Sequence, residues 1–361
     1  MSNTITSKKT NRILFLDLIK FLSISYIFIY HFICDVDTLH SMIDLSFITN
    51  LCLKPNFNMG VIATNLFVII SGATLAMSQD KGKFDFNAKS IINFYKKRIM
   101  RILIPYYIVY IIFYIYLALY NHVIRLFTNL NPVDYIWNIF AMDGYASIWG
   151  YQTAYLNVGE WFLGCIIICY VFFPLLYFLN KKIKYITFII LTAIEVYILY
   201  TNQFTPNFNL SAYYQIYNFY IGIFLSDLLL IKKIDFKFHI IFIAGIIYAY
   251  IATTVLPLML LIQTIICVFI YIIFYHTEKL LQNDNMTSSL TKFSTISYEF
   301  FLVHHFVISQ ADYIINKESI TITEATHIFF TDLLWIICLS MVFHSLVKLT
   351  MKIFNKKIIF E

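Results

Sequence analysis

Apolar runs of 17 to 22 residues recur along the chain, broken by short polar segments that carry most of its charge. The runs fall at about 13–34, 59–78, 102–119, 161–179, 184–200, 212–231, 239–256, 258–276, 296–315 and 328–348. Each is close to the roughly 20 residues that a helix needs to cross a bilayer. The pattern predicts an all-α polytopic membrane protein of about ten transmembrane helices in one domain. The weakest boundary is the one at Pro257, which separates two runs by a very tight turn. The longest stretch between runs, 120–160, holds VDYIWNIFAMDGY and ends near Trp149. Its aromatic, amphipathic character suits an interfacial anchor or a segment folded into the mouth of the bundle.

Composition agrees with that pattern and charge adds orientation. Of 361 residues, 60% are hydrophobic and 13% charged, about half the charge of a soluble domain. Lys and Arg concentrate at the amino terminus and in 79–101, 180–184, 232–238, 277–295 and the tail from Lys348. The alternate segments contain only Lys54, Arg125 and Lys317. This asymmetry predicts an even number of spans with both termini in the cytoplasm. A net charge of +6, distributed this way, orients the chain and does not indicate nucleic acid. No cleavage site follows the basic amino terminus, so the first span is expected to be retained. The six cysteines form no framework. Cys165 and Cys169, one turn apart, are expected to pack rather than bind metal, because no His or carboxylate completes a ligand set.

Several polar residues interrupt the runs. In the first span Lys20 and His31 are separated by eleven residues, which leaves them about 20° apart around the helix and roughly 16 Å apart along it. Asp17 shares their face. A cation low and an imidazole high on one face suit chemistry that joins two sides of a membrane. An Asp17–Lys20 ion pair with an interfacial His31 accounts for the same residues. Arg98 and Arg101 project from one side of the third span's start and have the geometry for phosphate, although positive flanking explains their neighbours Lys96 and Lys97. His304 is placed near mid-membrane in the ninth span, as catalyst or as structural polar residue. Glu195 near mid-depth requires a partner, with Lys20, His31 and His304 available. Glu160 begins the fourth span at the level of His31, where it serves either to orient an imidazole or as a solvated helix-start carboxylate.

Taken in order, these motifs resemble the membrane-bound acyltransferase-3 family, bacterial enzymes that O-acylate surface polysaccharides. Lys20 and His31 fit its basic-x10-His pattern, and Asn65 through Gly72 resembles its Phe-Phe-x-x-Ser-Gly segment. Arg98 and Arg101, followed by Pro105-Tyr106, fit its Arg-x-x-Arg. Trp161-Phe162-Leu163 with Tyr170 and Pro174 keeps the fourth-helix spacing, and Ser297-Tyr298 through Leu302 and His304 fits its late motif. The resemblance covers essentially the whole chain.

The resemblance implies ten spans and a multi-pass protein of the bacterial cytoplasmic membrane, without an esterase-like appendage. It further implies transfer of an acyl group, most simply acetyl, from acyl-CoA to a hydroxyl of a surface or lipid-linked glycan, with no metal. His31 would be the catalytic base or acyl carrier, with Glu160, Glu195 and His304 in support. Lys20, Arg98 and Arg101 would bind the donor. Three departures stand out: Ile166 where many members carry glutamate, Lys20 where arginine is usual, and Phe301 where tyrosine is usual. A flippase or exporter of lipid-linked glycan is the competing class, since it too needs intramembrane charges.

Overall fold

The computed structural model describes residues 13–39, 53–54, 57–82, 84–119, 130–202, 208–228, 236–251, 259–278, 284–315 and 320–359. Long helices dominate: α1 (Leu14–Leu39), α2 (Met59–Gly82), α3 (Ala88–Leu119), then the short α4 (Ile136–Ile139) and α5 (Asp143–Ile148). Next come α6 (Glu160–Asn202), α7 (Ala212–Leu228), α8 (Phe236–Ile251), α9 (Met259–Thr277), α10 (Asp284–Ile315) and α11 (Ile322–Ile359). The strands among the described residues form one two-residue hairpin, Leu53–Lys54 against Phe57–Asn58. The described part of each apolar run lies on a helix. Runs 161–179 and 184–200 are two arms of α6, separated by Ile183 with φ −139° and ψ 46°.

Among the described residues six helices, α1, α2, α3, α6, α9 and α11, are long and apolar enough to cross a membrane. Among the described residues α7 and α8 have 17 and 16 residues, too short for that criterion. The proposed turn at Pro257 lies outside the described residues. Ile92, Ile111, Ile115, Ile189, Ile190, Leu334 and Trp335 are among many large apolar side chains left exposed. A bundle with this much apolar outer surface is built for lipid.

Two devices set the helix packing around the interior. At the α2–α7 crossing the backbones nearly touch: a Cβ on Gly72 would lie 2.2 Å from Phe219 O, and one on Gly222 would lie 1.9 Å from Ile69 O. Small residues permit such an approach between helices that have no water-driven force to join them. Beside the crossing, buried Asn65 donates to Tyr214 Oη at 2.5 Å and accepts from Gln215 Nε2 and Asn218 Nδ2, each at 3.3 Å. Thr264 of α9 donates to Asn218 Oδ1 at 2.8 Å, so the network joins three helices. At the lysine-rich end, Lys181 bridges Asp80 and Asp227 at 2.8 and 2.9 Å and ties the α6 bend to the ends of α2 and α7.

The segment after α3 is more than an interfacial anchor. Residues 130–158 fold over the other end of the bundle and bury Asn138, Asp143, Ala146, Ala154, Leu156 and Val158. Three tyrosines of α3 hold this cap: Tyr106 donates to Asp143 Oδ1 at 2.7 Å, Tyr110 donates to Ala154 O at 2.6 Å, and Tyr107 donates to Ile139 O. Its other face leaves Val133, Ile139, Phe140, Trp149 and Tyr151 exposed. The cap is therefore folded onto the bundle on one face and apolar and exposed on the other.

Candidate active site

Beneath the cap, one carboxylate gathers three imidazoles from two other helices. His31 Nε2 of α1 lies 3.1 Å from Glu160 Oε2. His304 Nε2 and His305 Nδ1 of α10 lie 3.0 and 3.4 Å from Glu160 Oε1. The His31 and His305 rings lie side by side, with centroids 4.6 Å apart and planes inclined by 31°. His31 and His305 are partly exposed, at 17% and 22%, whereas His304 and Glu160 are buried. The two partly open rings can therefore meet a substrate, and the buried pair holds them.

Hydrogen-bond chemistry restricts how this cluster is protonated. His304 Nδ1 lies 2.7 Å from Phe301 O. A carbonyl only accepts, so Nδ1 carries a proton and Nε2 faces the Glu160 carboxylate. Nε2 then lies 3.0 Å from Oε1, within ion-pair distance when the imidazole is protonated. His304 thus anchors Glu160, leaving Oε2 for His31. One nitrogen each of His31 and His305 and one oxygen of Glu160 also lie within 4.8 Å of one another, a spacing that a divalent cation could bridge.

The backbone delivering Glu160 is strained. Asn157, Gly159 and Glu160 have φ of 56°, 73° and 47°. Only glycine adopts that region without penalty, and an L-residue there costs about 1–2 kcal/mol. Packing of the cap compensates: Gly144 of α5 sits so close that a Cβ would be 2.5 Å from the Glu160 carbonyl. Asn157 donates to Ser309 Oγ at 2.9 Å and fixes the same turn to α10. Such strain concentrates where geometry serves function. In the cap, burial pushes the Asp143 carboxyl up to about 7, opposed by its bond from Tyr106. Burial, then the charges of Glu160 and Asp143, push the Tyr155 phenol well above its ordinary value.

A cavity of about 1010 Å³ occupies the bundle toward the lysine-rich end. Lys20, Arg98, Arg101, Ser71, Tyr170 and Tyr298 line it, and its inner end meets Phe67, Phe162, Leu163 and Phe301. Arg98 is held in the wall between the Phe94 and Tyr170 rings, 5.8 and 5.9 Å from their centroids. Ser294 joins α10 to the first helix: it donates to Asp17 Oδ1 at 2.6 Å and its carbonyl accepts from Lys20 Nζ at 3.5 Å. Phe67, Phe162 and Phe301 pack edge to face, with centroids 5.4 and 5.3 Å apart. Phe301 then abuts the His304 ring at 5.7 Å. The basic cavity and the histidine cluster are adjacent compartments divided by phenyl rings.

The structure brings six of the seven residues singled out in the sequence into these compartments: His31, Glu160 and His304 in one, Lys20, Arg98 and Arg101 in the other. Glu195 is the exception and corrects the expectation of a pairing with Lys20, His31 or His304. It is buried, but none of the three is its partner among the described contacts. The bend at Ile183 carries it onto the second arm of α6, which packs against α7 through Phe188–Phe224 and Thr192–Tyr217. Ile166, in place of the family glutamate, lines the apolar part of the cavity. Cys165 and Cys169 are buried free thiols. Two residues that sequence reasoning did not select belong here as well: His305, and His344, whose Nδ1 lies 3.1 Å from Glu299 Oε1 on the cavity wall. Adjacency to His304 signalled the first, and nothing local signalled the second.

A family model described as an acyltransferase domain matches residues 13–347, nearly the whole chain. No curated protein and no solved structure matches it. The ordered motifs, the helical membrane architecture and this match agree, and the chain belongs to the acyltransferase-3 family of membrane acyltransferases.

Proposed function

We propose that this acyltransferase takes an acyl group, most simply acetyl, from acyl-CoA on the cytoplasmic side of a bacterial membrane and transfers it to a hydroxyl of a surface or lipid-linked glycan. One observation carries the reading: a cavity lined by Lys20, Arg98 and Arg101 ends against the wall behind which Glu160 holds His31. The cations suit a donor that carries phosphates, with Arg98 and Arg101 offering forked hydrogen bonds. The apolar inner half, with Ile70, Leu163 and Ile166, suits the uncharged pantetheine arm that carries the thioester.

His31 acts as general base. It takes the proton of the acceptor hydroxyl as the oxygen attacks the thioester carbonyl. The tetrahedral intermediate then expels the thiolate, which takes the proton from the imidazolium and leaves as free CoA thiol. Glu160 stabilises the imidazolium that forms between these steps, and His304 holds Glu160 in place. Because a thioester is already a good acyl donor, positioning and one base supply the chemistry.

The test is purified protein in liposomes with labelled acetyl-CoA and surface glycan from the same cells. His31→Ala is expected to abolish label transfer, with a loss of 10²-fold or more, as removal of a general base typically brings. Transfer at the normal rate by that variant would reject the assignment.

A further inference from the structure

The last helix contributes a basic ladder to the donor cavity. His344, Lys348 and Lys352 are spaced four apart on α11, so they lie on one face, and all three line the cavity with Val347 and Met351 between them. The helix packs against α3, which carries Arg98 and Arg101, and against α10, to which His344 is tied through Glu299. Lysines at the end of a span are ordinary flanking residues when they point into solvent. These two, although exposed, border the mouth of the cavity that Arg98 and Arg101 also line.

Charge and order within the cavity specify what occupies it. Among the described residues five cations line it, Lys20, Arg98, Arg101, Lys348 and Lys352, against one carboxylate, Glu299. That is a formal excess of four positive charges. A lone phosphodiester leaves most of it uncompensated. A diphosphate carrying a further phosphomonoester, itself about −2, matches it. From inner end to mouth the lining passes from phenyl rings, through aliphatic side chains, to the partly buried Arg98, and then to the exposed Lys348 and Lys352. Lys352 lies roughly 12 Å beyond His344 along the helix. A coenzyme A thioester has the same order: thioester, uncharged arm, diphosphate, and a 3′-phosphate at its far end.

We propose that Lys348 and Lys352 grip the 3′-phosphate and make the site selective for acyl-CoA over donors that lack this group, such as acyl-pantetheine on a carrier domain or an acyl phosphate. The inference rests on the donor reading given above and extends it to the last helix, which the sequence motifs do not reach.

The experiment compares acetyl-CoA with 3′-dephospho-acetyl-CoA on the full chain in liposomes. Wild-type kcat/KM is expected to be about tenfold or more lower on the dephospho donor. Lys348→Gln with Lys352→Gln should lower kcat/KM about tenfold on acetyl-CoA and less than twofold on the dephospho donor. Lys348→Arg with Lys352→Arg should restore most of the loss, which separates lost charge from misfolding. Equal use of both donors by the wild type, or equal losses of the glutamine variant on both, would overturn the proposal. A wild type that accepts neither donor would instead remove the acyl-CoA reading itself, and this inference with it.

Discussion

Gly144→Ala tests whether the cap sets the carboxylate that holds His31. The new Cβ would lie 2.5 Å from the carbonyl carbon and oxygen of Glu160, against 3.4 Å for ordinary contact, so about 0.9 Å of displacement is required. The neighbour is backbone and cannot rotate away. If Glu160 yields, its distance from His31 Nε2 grows from 3.1 Å to about 4.0 Å. At an effective dielectric of about 20, the attraction between the carboxylate and an imidazolium then weakens by roughly 1.2 kcal/mol. Loss of a charge-assisted hydrogen bond adds about 1.5–3 kcal/mol. Together they predict a fall in kcat of about 10²-fold or more, since 1.36 kcal/mol is a factor of ten. Donor KM should hold, because Lys20, Arg98 and Arg101 lie on α1 and α3. The assay is transfer of labelled acetyl from acetyl-CoA, with thermal unfolding as a fold control. Gly82→Ala is the matched control, since a Cβ there meets nothing within 4 Å. A Gly144→Ala protein with kcat within twofold of wild type would refute the link between cap and catalysis.

Three further outcomes are expected. Arg98→Ala with Arg101→Ala should raise KM for acyl-CoA tenfold or more, and unchanged donor kinetics would show that these arginines only flank the helix. Gly222→Ala should destabilise the bundle by several kcal/mol, because its Cβ would sit 1.9 Å from Ile69 O; a melting temperature within a degree or two of wild type would contradict the close crossing. Asp143 should make stability pH-dependent: its folded pKa near 7 lies above the ordinary 3.8, so between those values the folded chain keeps a proton that the unfolded chain has lost. Stability from this group is then complete below about pH 4 and is lost as pH rises to about 7, by up to roughly 4 kcal/mol. Asp143→Asn should flatten that slope in thermal unfolding across the window, and an unaltered slope would assign it elsewhere.

The parts of this fold that were legible in the sequence are those governed by solvation. Lipid demands long apolar runs, and the described part of every run lies on a helix. It also makes each buried ionisable group conspicuous, which singled out Lys20, His31, Glu160, Glu195 and His304. Helical periodicity put Lys20 and His31 on one face. It does not say which carboxylate meets His31, because that depends on packing between residues far apart in the chain. The sequence put Glu160 at the start of the fourth span and Glu195 near mid-depth in the fifth without deciding which reaches His31; the bend at Ile183 carries only Glu195 away. The strained turn at 157–160 was hidden for another reason: Asn157 and Gly159 are residue types that accept left-handed backbone, while Glu160 adopts it under tertiary restraint. His344 went unnoticed because its partner Glu299 belongs to another helix.

The three phenyl rings between cavity and cluster have a consequence for insulation. A protein handling a donor at one face of a membrane and an acceptor at the other invites leakage of protons along any continuous file of water. Phe67, Phe162 and Phe301 offer such a file no hydrogen-bond partner at the point where the two compartments meet. The tyrosine usual in the family at position 301 would place a hydroxyl in that seam. With phenylalanine there, the seam between the two compartments is apolar throughout these three rings.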